Sequence, residues 1–134
     1  MLKTRILGAA CAVALLGAAA AFAHSEPPGG DYRKVSELVA LPEFLPGLGT
    51  LYVQPATLPA GPFLAYDRDG KLVSSIYMIP TKALEAQQKF EDLAVGQRTV
   101  LATDLYYNAG HPGVEEPHYH VVLWHVPKAE AKLQ

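Results

Sequence analysis

The sequence predicts an α+β domain, mainly antiparallel β, with about five strands and two short helices, built as a small barrel or as a sheet backed by helices. Three observations predict it. Short apolar runs alternate with Pro- and Gly-containing turns along residues 48–126. Asp69-Gly70 lies between two of these runs, where a hairpin needs a residue that accepts positive φ. Only one stretch, 82–93, carries a sustained helical stripe.

The elements follow in chain order. Residues 1–23 have the layout of a secretory signal peptide: Lys3 and Arg5, then an uncharged apolar run, then Ala21-Phe22-Ala23 as an A-x-A cleavage site. A membrane anchor is the competing reading of the apolar run 6–23, near the lower length limit for a span. Its alanine-rich composition and cleavage site favour removal. Cys11 falls inside the segment, and Gly8 stands where a lipid-attachment site needs a large apolar residue. Cleavage would leave a chain without cysteine, held together by its core, a metal or partner subunits. Residues 24–31 read as a flexible leader, 32–127 as a single β-rich domain and 128–134 as a polar tail.

Within the domain, Val35, Leu38 and Val39 fit a short helix stopped by Pro42. Strands are expected at 48–54, 62–67 and 71–79, the last two joined through Asp67-Arg68-Asp69-Gly70. Thr81 is placed to cap a helix over 82–93, with Ala83, Ala86, Phe90 and Leu93 as its buried stripe. Two further strands, 98–108 and 118–126, flank a Pro/Gly-rich loop.

Charge excludes one class of partner. Residues 24–134 carry nine basic and thirteen acidic side chains, and Arg33-Lys34 is the only adjacent basic pair. Nucleic acid needs a clustered positive face, so it is excluded. After signal cleavage no membrane association is expected, and the tyrosine-rich apolar strands leave a homo-oligomer open. The expected location is the periplasm or the medium.

The chemistry concentrates in EEPHYHVVLWH, residues 115–125. Side chains two apart on a strand share a face, so His118 and His120 project together, about 6–7 Å apart along the chain. Two such imidazoles can converge on one divalent transition metal, Zn, Cu, Ni or Fe. His111, Glu116 and Asp104 are the candidates for a third ligand, in no fixed order. Asp104 and Tyr106 share one face of the preceding strand and reach the pair if the two strands are neighbours. His125 lies an odd step from His120, on the opposite face, and reads as a packed or hydrogen-bonded residue. The bland alternative is an ordinary strand whose imidazoles bond to carboxylates or carbonyls.

The run Gly113, His118, His120 to position 125 resembles the first metal motif of cupins, G-x5-H-x-H-x3-4-E-x6-G. Its spacer is one residue shorter, His125 stands in the glutamate's place, and a second cupin motif has no room downstream. DLYYNAGHPGVEEPHYHVVLWHV and YMIPTKALEAQQKFEDL are similar to segments of a small family of exported bacterial proteins of unknown function. That resemblance implies a shared fold over residues 32–126 and no activity.

Cleavage after Ala23 would also expose His24, whose amine and ring could brace copper. The leading expectation is an exported metal-binding protein using His118 and His120, with no reaction named by the sequence. The other class is a non-catalytic envelope binding or assembly module in which these histidines are structural.

Overall fold

The computed structural model describes residues 26–95 and 98–134. The expected signal segment and His24 lie outside them. Among the described residues no helix is long and apolar enough to cross a membrane.

Among the described residues, seven strands form one antiparallel sheet: β1 (Arg33–Lys34), β2 (Phe44–Leu45), β3 (Gly49–Val53), β4 (Phe63–Tyr66), β5 (Leu72–Pro80), β6 (Ala102–Asn108) and β7 (His118–Trp124). The order across the sheet is β1-β3-β4-β5-β7-β6, with β2 also paired to β3. Two helices are short, α1 (Val35–Leu38) and α2 (Thr81–Glu85). The sheet is open, not a closed barrel, and the two additional strands are the two-residue β1 and β2. Neither is long enough to show an alternating pattern; both form because β3 offers them a partner.

The Asp67–Gly70 hairpin forms as expected. Gly70 takes φ +70°, and Asp67 Oδ1 accepts from the Asp69 and Lys71 amides at 2.9 and 3.0 Å. A short polar side chain bonding its own turn offsets the burial of Asp67.

The helix expected over 82–93 stops at Glu85. Gln87 turns left-handed, φ 58°, the Gln87 amide bonds Leu84 O at 2.9 Å, and the Gln88 amide bonds Ala83 O at 2.9 Å. These two bonds close the helix as a Schellman motif, here without glycine. The chain beyond then runs to Ala94, whose carbonyl accepts from the buried Tyr77 hydroxyl at 2.5 Å. Satisfying that interior hydroxyl overrides the local helical stripe. Thr81 is the first helical residue and not a cap; its amide and hydroxyl both donate to Pro117 O, at 3.0 and 3.2 Å.

β5 is buried along nearly all its length, as befits a strand covered on both faces. One face, with Ile76 and Met78, joins Val53, Phe63, Val122 and Trp124 in the main core under α1. Segments on either side of the sheet strands also pack. Glu26 bonds Gly70 O through its amide and the Tyr52 hydroxyl through its carboxylate. Leu133 is buried in the core, contributing roughly 1.5–3 kcal/mol.

Candidate metal centre

β7 lies between β5 and β6, and its burial alternates strictly, with His118, His120, Val122 and Trp124 inward. The period of two therefore delivers both histidines to the core face. His118 is fully buried and His120 is 6% exposed.

His111 arrives from the 109–117 loop. A tight turn forms there, the His111 amide bonding Val114 O at 2.9 Å and the Val114 amide bonding His111 O at 3.0 Å. Glycine is required at two positions of this loop. Gly110 has φ +132°, and a Cβ on it would meet Glu115 O at 2.4 Å. Gly113 has φ +89° and lies against Val39, which a Cβ would meet at 2.9 Å. The loop is thereby pressed onto the segment following α1, and His111 is turned toward β7.

The three imidazoles meet at their Nε2 atoms. His118 Nε2 is 2.9 Å from His120 Nε2 and 3.2 Å from His111 Nε2. All three ligand atoms lie within 4.8 Å of one another, close enough to hold a metal ion. Ligands at about 2.0–2.1 Å in tetrahedral array stand about 3.3–3.4 Å apart, so a few tenths of an ångström of opening suffices.

The outward nitrogens set the tautomers. His118 Nδ1 is 2.7 Å from Glu116 O, and His111 Nδ1 is 3.1 Å from Pro112 O. A carbonyl only accepts, so both Nδ1 atoms carry a proton, and in the neutral form of each ring Nε2 is bare toward the cluster. His120 Nδ1 is 3.1 Å from the Tyr106 hydroxyl, which can donate or accept. Without an ion, His120 Nε2–H donates to His118 and Nδ1 accepts from Tyr106. If His120 Nε2 held an ion, its Nδ1 would carry the proton and the Tyr106 hydroxyl would accept it. Burial first, then the neighbouring His118 and His111, push the His120 pKa down to about 4. A neutral ring is the form that ligates.

The β6–β7 register places Tyr106 opposite His120 and Asp104 opposite Val122. Asp104 thus lies one two-residue step too far along the ladder. Its carboxylate accepts from Trp124 Nε1 at 2.8 Å and pairs with Lys128; the bonds from Lys128 and then Trp124 hold its pKa below the usual range. Glu116 directs its carboxylate to Lys82 and gives the site only its backbone carbonyl. Of the three candidate third ligands, His111 alone joins the pair. His125 is on the other face, Nε2 at 2.9 Å from Ser75 Oγ and Nδ1 at 3.0 Å from Thr99 O.

Sequence reasoning passed over two contributors. The carbonyl of Pro117, pinned by Thr81, fixes the entry to β7, and Gly110 and Gly113 aim His111. Glycines at 110 and 113 flanking His111 were the available signal.

No family model matches the chain, and no curated protein matches it. Among solved structures, it is similar to a hypothetical protein from Thermus thermophilus, with 49% identity and a TM-score of 0.58. The match covers 66% of this chain and 81% of that one.

Proposed function

Since this chain belongs to the same family as that Thermus thermophilus hypothetical protein, whose description names no activity, we propose a function from the site itself: an exported protein that binds one divalent transition metal. His111, His118 and His120 are the ligands. The observation that carries the reading is the meeting of three Nε2 atoms, two of them bare by the tautomers their carbonyl partners impose. Bare nitrogens aimed at one point repel each other, and a cation between them removes that repulsion.

Three neutral imidazoles suit Zn, Cu, Ni or Fe and leave a coordination position for another donor. The Tyr106 hydroxyl and the Glu116 carbonyl orient the rings, as outer partners of metal histidines commonly do. Export is supported by the charged, apolar and A-x-A layout of residues 1–23. The periplasm or the medium is the compartment we assign.

The test is metal content by elemental mass spectrometry on untagged protein, beside a His118→Ala/His120→Ala variant. Near-stoichiometric metal in the first and none in the second is expected. Equal metal in both, or none in either after loading with Zn, Cu, Ni and Fe, overturns the reading.

One observation favours self-association as a second property. β6 is an edge strand, and Leu105 and Tyr107 on its outer face are 65% and 54% exposed. An apolar edge strand invites pairing with another chain. Sedimentation of the metal-loaded protein decides it, a monomer at high concentration excluding a homo-oligomer.

A further inference from the structure

A cavity of about 330 Å³ lies beneath α1 and the 41–48 segment, against the inner face of the sheet. Its size falls at the small end of the range for small-molecule sites, about 300–1,000 Å³. Its wall is aliphatic and aromatic, including Val35, Leu41, Leu51, Phe63 and Met78, and among the described residues no charged side chain lines it. Leu38 and Leu58, 41% and 45% exposed, are apolar lining residues that still reach solvent.

Polar side chains on the wall are confined to Tyr106, Asn108, His111 and His120. Asn108 Oδ1 already accepts from the Gly110 amide at 2.9 Å. The remaining three belong to the histidine cluster. His118 is fully buried and does not line the cavity, whereas His111 and His120 do. An ion held by the three Nε2 atoms would have the fully buried His118 on one side and His111 and His120, which line the cavity, on the other.

The charge of that ion selects the ligand's head. Three neutral imidazoles leave the full +2 in apolar surroundings, and both nearby carboxylates, Glu116 and Asp104, are paired with lysines. A buried charge without a counter-charge is costly, so an anionic donor is favoured there. The wall away from the cluster offers no partner for a second charge or a polar chain.

We propose that this cavity binds an apolar monocarboxylate, its hydrocarbon body against the aliphatic wall and its carboxylate completing the coordination of the metal held by His111, His118 and His120. The proposal rests on the metal reading above and names the ligand class of that same site.

The test uses full-length exported protein loaded with Co²⁺, its metal content measured in the same sample, and titrated with octanoate. Octanoate is expected to perturb the Co²⁺ absorption bands. It should bind at least about tenfold more tightly than to chelated protein, and than octylammonium does. Leu51→Trp, which fills the cavity, should weaken octanoate about tenfold with metal content unchanged. Leu58→Glu, at an exposed position, should weaken it too and serves if Leu51→Trp fails to fold. Bound metal without octanoate binding, or equal octanoate affinity with and without metal, overturns this proposal and leaves the metal reading standing. Absence of bound metal after loading with Co, Zn, Cu, Ni and Fe overturns both.

Discussion

His118 is the residue on which the centre turns. It is buried completely, its Nδ1 proton is committed to Glu116 O, and its Nε2 touches both other imidazoles. His118→Ala should abolish stoichiometric metal binding, whereas Glu116→Gln and Asp104→Asn should retain it; elemental analysis of the three variants checks this. Tyr106 acts through His120, so Tyr106→Phe should lower metal affinity about tenfold without changing stoichiometry, read by competition with a chromophoric chelator. His120 also carries a pH signature. Its pKa is held near 4 in the folded chain against an ordinary value of 6.5. Between those values the unfolded chain binds more protons, so stability is complete above pH 6.5 and declines as the pH falls toward 4. His125, pushed down chiefly by burial, adds in the same direction. The urea midpoint of chelated protein should therefore be lower at pH 4.5 than at pH 7, and a flat profile contradicts a neutral His120.

At the scale of elements, the loop between β6 and β7 positions His111 against the strand histidines. Gly110→Ala would drive a Cβ into Glu115 O and force the turn to shift. Metal affinity should fall by tenfold or more, since the ligand is displaced, on the order of 1.4 kcal/mol or above. The β3–β4–β5 hairpins lie away from that loop and should keep their hydrogen-exchange protection. Much of this element-level structure was legible beforehand. The hairpin turn at Asp67–Gly70, the five longer strands and the shared face of His118 and His120 all follow from patterns confined to a few residues. The second helix did not follow from its pattern. Ala83, Ala86, Phe90 and Leu93 have helical spacing, yet the chain unwinds at Gln87 and supplies Ala94 O to the Tyr77 hydroxyl on the sheet. Such a contact with a buried partner outweighs a propensity of a few tenths of a kilocalorie per residue.

For the whole molecule, a metal held by the three histidines would link ion binding to folding. The centre joins β7 to a loop that rests on Val39 beyond α1, so an ion bound there ties the sheet to its cover. Binding to the folded chain alone at a free concentration of 100 Kd stabilises it by about 2.7 kcal/mol. A chelator should lower Tm, metal should restore it, and the His118→Ala/His120→Ala variant should show neither response in a thermal melt.

The residue types and local periods by themselves determined that a β-rich chain would present two imidazoles from one strand on one face, because side-chain direction depends only on the neighbouring backbone. Only the tertiary structure decided among His111, Glu116 and Asp104. Asp104 has the right face but is opposite Val122 in the ladder, and Glu116 is drawn to Lys82. His111 reaches the pair through a turn that Gly113 allows to pack against Val39, 74 positions earlier. The open sheet and the apolar cavity beside the histidines were decided there too. Both depend on which segments lie over the sheet, a competition among long-range contacts that no local pattern encodes.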